Sequence, residues 1–296
     1  MKKQGIIKYV GLLLFTVLSC TEEAPDAQLS VSLDMADYQA GEPVTFHIQG
    51  EADNIVFYSG EQGHEYDKRD RFFSDNDLKI EIVTYTDFLT YVHPNMQCLV
   101  STDFDGVYDL QHLQAATWVD ITSALGLATT VKTNTTSEKI SLKAYASDTP
   151  SATLYIAFRY YDMNGKGERN RWVVRSINVE KVTPDGQITQ EADMKTMAWQ
   201  SISVSGKPVW KVSSSQLLAA GDNTTSDKDE WVVSQGFKFR EAEPSTGVVL
   251  KNMSTTLSEF RYTYTTPGVY KAVFVSTSQW YNSSSSSKSQ IEVVIK

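Results

Sequence analysis

From Leu29 onward the chain alternates apolar and polar residues with a period of two, and no long stretch carries apolar residues at helical spacing. Leu29, Val31 and Leu33 alternate with Ser30, Ser32 and Asp34, and Val44, Phe46 and Ile48 with Thr45, His47 and Gln49. Extended segments of this kind turn one side inward. Further β-rich runs cover residues 78–85, 118–122, 140–146, 154–161, 172–179, 231–239, 260–264, 269–276 and 291–295. Turn chemistry separates them at Asn164-Gly165, Lys166-Gly167, Pro184-Asp185-Gly186 and Pro267-Gly268. The best short helical candidate is 215–220. Many short strands with frequent turns predict an all-β chain built as sandwiches or jelly rolls.

The first twenty residues obey a different rule. Lys2, Lys3 and Lys8 precede an uncharged apolar run from Val10 to Leu18, then Ser19 and Cys20. That run is roughly half of the ~20 residues a spanning helix needs, so it reads as a cleaved secretory leader over 1–20. A small residue directly before a cysteine is the arrangement that places a lipid on the thiol, and Cys20 is therefore the expected lipidation site. Acids, Pro and Ala without periodicity follow, and 21–28 reads as a flexible tether. With Cys20 acylated, Cys98 has no partner, which excludes a disulfide framework and predicts a small buried hydrophobe. The formal net charge of -9 excludes nucleic acid as a partner, because phosphate binding needs a basic surface.

Neither end of the mature chain has strands enough to bury a face alone. The opening GEPVTFHIQG and NIVFYSGEQG, together with the closing FRYTYTTPGVYKAVFVSTSQWYN and SQIEVVIK, resemble the two parts of one PKD-like immunoglobulin-like domain. The PKD-like Trp-Asp-Phe-Gly-Asp-Gly turn is absent; Phe57-Tyr58-Ser59-Gly60-Glu61 stands there instead. The expected organisation is a discontinuous PKD-like sandwich over 29–70 and 251–296, with an inserted jelly-roll sandwich over 71–250. As a whole, ADNIVFYSGEQGHEY, STDFDGVY with ATWVDIT, LYIAFRYY with RWVVRSINV, DEWVVS and YTTPGVYKAVFV resemble a family of uncharacterised surface lipoproteins of gut Bacteroidetes, often encoded in polysaccharide utilisation loci. The acids behind Cys20 resemble the surface-export signal of such lipoproteins. The resemblance implies an outer-membrane, lipid-anchored, cell-surface protein, and carries no chemistry over to individual residues.

Candidate ligand-binding residues are aromatic or basic. Reading 155–175 as a hairpin, Tyr155, Arg159 and Tyr161 share one side of a strand and stand near Arg169, Arg171, Trp172 and Arg175. Flat rings stack on sugars and guanidinium forks bond hydroxyls or uronic carboxylates; the plainer reading is cross-strand pairing on a solvated sheet. Trp280 and Tyr281, before a serine run, form a second candidate loop. Asp103, Asp105 and Asp109 offer oxygen ligands for a structural calcium, but no EF-hand Glu follows and Asp-Gly is also ordinary turn chemistry, so no cofactor is expected. The histidines at 47, 64, 93 and 112 lack zinc-ligand spacing. There is no nucleophile elbow, metalloprotease motif or phosphate loop, so no enzyme is expected. The expected function is non-catalytic glycan binding for a polysaccharide uptake system, with outer-membrane transporter components as further partners. The alternative is an envelope structural or adhesion protein that binds another protein.

Overall fold

The computed structural model describes residues 23–87, 95–162, 171–205, 208–220 and 227–296. The N-terminal part supplies β1 (Gln28–Leu33), β2 (Pro43–Glu51) and β3 (Asn54–Tyr58). Then come β4 (Asp77–Asp87), β5 (Met96–Ser101), α1 (Leu110–Ala115), β6 (Val119–Asp120), α2 (Thr122–Leu125), β7 (Thr135–Thr136), β8 (Ile140–Ser141) and β9 (Tyr155–Asp162). Next are β10 (Arg171–Val182), β11 (Ile188–Asp193), β12 (Trp199–Ser205), β13 (Trp210–Ser213), β14 (Gln216–Ala220) and β15 (Lys228–Ser234). The chain ends with β16 (Val248–Lys251), β17 (Glu259–Thr263), β18 (Gly268–Gln279) and β19 (Ser284–Ile295). The chain is all-β, its sheets antiparallel and arranged as β-sandwiches.

Two compact units divide the chain: Arg71–Pro244, and the residues before and after it up to Asp70 and from Ser245. In the discontinuous unit a sheet of order β1-β2-β17 packs on one of order β16-β3-β18-β19. Phe46 pairs with Phe260 across β2 and β17, and Phe57 with Phe274 across β3 and β18, so each sheet joins strands from opposite ends of the chain. Alternation puts these rings on the inner faces. Phe57 lies 5.5 Å from Phe46, 5.0 Å from Phe260 and 4.9 Å from Phe274, between centroids. Residues 248–250 of β16, assigned from sequence to the inserted region, belong to this unit, where Val248 pairs with Phe57 and Val249 with Val56. Gly50 sits at φ +113° where a Cβ would meet the Gln28 carbonyl at 2.1 Å, so only glycine permits the β1–β2 approach there.

The segment read as a flexible tether is held from Ala24 onward. Ala24 N donates to Ser283 Oγ at 2.6 Å, Ala27 N donates to Ser285 Oγ at 3.2 Å, and Ala27 is buried.

In the continuous unit, one sheet has the path β13-β14-β10-β4-β7 with β11 on β10 and β8 on β4; the other has the order β12-β15-β9-β5-β6. Their inner faces meet in a core that includes Ile80, Ile82, Cys98, Ile156, Phe158, Trp172, Val174 and Val232. Burial pushes the Cys98 thiol well above its ordinary value, as for a small hydrophobe. The stretch 215–220, the best helical candidate, forms β14 instead; Leu217 and Ala219 fill the core in alternation while Leu218 and Gln216 face away.

The expected 155–175 hairpin does not form. β9 pairs with β5 and β15, whereas β10 pairs with β4, β11 and β14. Both strands carry apolar inner faces, and placing them in facing sheets buries the two faces against each other. The residues between them, 163–170, including Arg169 and the Asn164-Gly165 turn, lie outside the described residues.

Candidate functional site

β9 presents Ile156, Phe158 and Tyr160 to the main core, leaving Tyr155, Ala157, Arg159 and Tyr161 on the outer side of its sheet. The chain after β5 folds back over the first two. Ser101 Oγ and Asp103 form its turn, and Asp109 caps α1 by accepting from His112 N at 2.9 Å. The resulting satellite cluster includes Phe104, Leu113, Tyr155, Ala157, Trp231 and Val233, and Tyr108 and Trp118 pack against it. Phe104 meets Tyr155 edge-on at 5.0 Å, and Trp118 lies 5.4 Å from Trp231.

Beside this cover runs a hydrogen-bonded polar row. Arg159 Nε and Nη2 donate to the two oxygens of Asp229, each at 2.7 Å, and Trp231 Nε1 donates to Asp229 Oδ1 at 2.9 Å. Arg159 Nη1 donates to Gln97 Oε1 at 3.3 Å, and Gln97 Nε2 to Asp120 Oδ2 at 2.7 Å. The guanidinium lies 5.4 Å from the Tyr161 ring centroid and 5.3 Å from that of Trp231. Asp229, hydrogen-bonded and close by, raises the Arg159 pKa further and keeps the group charged. Arg159 is 31% exposed and Asp229 12%, so the pair forms the floor of the row while Asp120 and the partly exposed Tyr161 stand at its rim. Such a surface offers fixed donors, fixed acceptors and one aromatic ring at partly desolvated positions.

The other residues named from sequence lie elsewhere. Tyr155 is covered: a Cβ on Gly106 would meet its hydroxyl at 2.7 Å and one on Gly236 its ring at 2.9 Å. Trp172 is a core residue, not a binding residue; it is fully buried, and its Nε1 donates to Asn95 Oδ1 at 2.7 Å. Arg171 and Arg175 point from the outer side of the facing sheet, Arg171 at 3.8 Å from Asp87 and Arg175 over Tyr85 at 4.6 Å. Trp280 and Tyr281 belong to the discontinuous unit, and Cys20 lies outside the described residues. Asp103 is taken up by Ser101 and Thr117 N, and Asp105 by Val107 N. Among the described residues no group of three or more His, Cys, Asp or Glu is placed to hold a metal ion. Sequence reasoning missed Gln97, Asp120 and Asp229. A signal existed for the last: the Lys228-Asp229-Glu230 triplet leads without a turn residue into Trp231-Val232-Val233.

Residues 19–199, more than half of the chain, match the family described as domain of unknown function DUF5017. The chain belongs to that family. The DUF5017 match takes in Cys20, Gln97, Asp120, Arg159 and Tyr161 and stops before Asp229 and Trp231. No curated protein matches. Among solved structures, a Lotus tetragonolobus seed lectin is 9% identical over 75% of this chain and 97% of its own, with a TM-score of 0.11. A C-terminally truncated trimeric ectodomain of the C. elegans fusion protein EFF-1 is 8% identical over 93% of this chain and 92% of its own, with a TM-score of 0.08. At those TM-scores neither alignment bears on fold or function.

In this DUF5017 chain the cover over Tyr155 carries its own pH dependence. Bonds from the His112 backbone and ring lower the Asp109 carboxyl, and the same contact raises His112 above its ordinary value of 6.5. A lowered acid stabilises above its unfolded pKa and loses that contribution as pH falls through the folded one; a raised histidine contributes below its unfolded pKa and loses it as pH rises through the folded one. The α1 cap is therefore firmest between those limits, at about pH 4–6.5. Limited proteolysis across 105–117 is expected to be slowest there and to lose most of its pH dependence in Asp109→Ala, the remainder coming from Asp105, 3.6 Å from His112 Nε2. A flat profile in the parent protein would refute the assignment.

Proposed function

We propose that this chain is a non-catalytic, lipid-anchored protein of the outer-membrane surface that binds a glycan for a polysaccharide uptake system, using the Arg159 row as its binding face. The observation that carries this reading is the fixed sequence Asp120, Gln97, Arg159, Asp229, with the Tyr161 ring beside it. Each polar group keeps a protein partner and a share of solvent, so a sugar hydroxyl can join the row without leaving a group unpaired. Asp229 and Asp120 each accept hydrogen bonds from fixed donors, which suits binding. Glu230, on the opposite side of β15, is pushed up by burial while Ser203 donates to it at 2.6 Å; it faces inward and away from this row.

Affinity electrophoresis of the Cys20→Ala protein through gels containing neutral and uronic-acid glycans tests this. At least one glycan is expected to retard the protein, and Tyr161→Ala to weaken binding about tenfold, the loss of one stacked ring. Unretarded migration in every gel, with Tyr161→Ala matching its parent, would sink the proposal. One observation favours a protein-binding role instead: Val248 and Val249, 47% and 69% exposed, lie on β16 at a sheet edge. A stoichiometric protein recovered from envelope extracts, with no glycan retained, would support that reading.

A further inference from the structure

The hairpin between β18 and β19 ends at Trp280 and Tyr281, closed by Trp280 N donating to Ser283 O at 2.9 Å. Tyr281 is fully exposed and Trp280 is 43% exposed, whereas the other tryptophans are buried or partly buried. These two rings stand out from the fold instead of packing into it. The N-terminal segment runs to the same tip, where Ala24 N is bound by Ser283 Oγ. It continues along β19, with Ala27 N on Ser285 Oγ and Ser289 Oγ donating to Leu29 O. Pro25 and Asp26 wall a groove of about 550 Å3 shared with Glu51, Asp53, Lys251 and Met253, the last 72% exposed. Gln279 N donates to Asp53 Oδ2 at 2.9 Å, which joins the tip to that groove.

Covalent geometry adds the decisive limit. Cys20 precedes Ala24 by four residues, and a chain extends at most ~3.6 Å per residue, so the two Cα atoms are separated by no more than about 14 Å. An acyl chain on Cys20 would bring the bilayer surface to this end of the unit. Trp and Tyr, with an apolar body and a polar edge, prefer the headgroup region of a bilayer. We propose that the Trp280–Tyr281 tip is a membrane-contact element, seated in the headgroup layer of a zwitterionic bilayer beside the acyl anchor. This inference rests on lipidation of Cys20 and is separate from glycan binding at Arg159. Asp26, Glu51 and Asp53 line the groove against one lysine, Lys251, whose Nζ is bound to the Ala52 and Asp53 carbonyls, so an anionic surface would be repelled. A second point of attachment also restricts rotation about the lipid tether.

The experiment uses the full acylated protein, purified from membranes and reconstituted into phosphatidylcholine–phosphatidylethanolamine vesicles carrying a lipid spin-labelled near its headgroup. Intact mass reports the adduct on Cys20. With the adduct present, part of the tryptophan emission is expected to be quenched, and that quenching to disappear in Trp280→Phe. An acylated protein without Trp280-dependent quenching overturns the contact and leaves the lipid anchor standing; absence of the adduct overturns both. Trp280 emission that responds to a soluble glycan and not to vesicles would assign the tip to sugar binding and likewise overturn the contact.

Discussion

Trp172→Ala is expected to destabilise the continuous unit by about 3–5 kcal/mol, the range for removing a buried tryptophan ring. Trp172 is fully buried in the core beside Ile156, Phe158 and Val174, and its indole donates to Asn95 Oδ1. The substitution leaves a large cavity and takes a donor from a buried oxygen, and both effects act in the same direction. For a unit of this size the melting temperature should fall by ~10 °C. Trp172→Phe should fall between, since it keeps most of the ring volume and loses the hydrogen bond, worth ~1 kcal/mol. Arg171→Ala and Arg175→Ala, on the outer side of the same strand, should stay within about 0.5 kcal/mol of the parent. Urea unfolding followed by circular dichroism measures all four. A loss below ~1 kcal/mol for Trp172→Ala would mean that the ring is not a core element.

The same position shows where sequence reasoning reached and where it stopped. Alternation made strands legible at 29–33, 44–48, 154–161 and 172–179, because a strand buried on one face must repeat every second residue. It could not say which strands share a sheet. Trp172 read as a ligand platform because β9 and β10 looked like neighbours across a Gly-rich turn; once β10 pairs with β4, the side carrying Trp172 becomes the one facing β9 through the core. The Ser284–Ser289 half of β19 was illegible for another reason. Its serines lack a β-former's composition, and their value appears only with the partners present: Ser283, Ser285 and Ser289 bind the backbone of residues 24–29. Of the candidate site, Arg159 and Tyr161 could be named, since they share a strand side with period two. Gln97, Asp120 and Asp229 come from three other strands, and only the registers of β5, β6 and β15 bring them together.

Deleting residues 254–296 is expected to abolish the fold of the discontinuous unit and to leave the continuous one standing. The deletion takes β17 from β2 and β18 from β3, and removes Phe260, Tyr264, Phe274, Val293 and Ile295 from the shared core. Phe57 alone loses three of its four ring neighbours. Each buried ring is worth a few kcal/mol against a total stability of roughly 5–15 kcal/mol, so no marginal remainder can survive. What stays, β1 with β2 and β3 with β16, is two isolated pairs of strands, which water does not tolerate as a fold. The continuous unit differs because its ends meet within it. Phe73 bridges Glu241, Ser74 N donates to Arg240 O at 3.0 Å, and Arg240 pairs with Asp75 at 3.0 Å and Asp148 at 2.7 Å. Residues 71–244 expressed alone should therefore unfold cooperatively, whereas residues 1–253 should show amide exchange at 43–58 close to that of an unstructured peptide. Persistent protection at 43–58 after the deletion would show that the N-terminal strands need no partner from the other end of the chain.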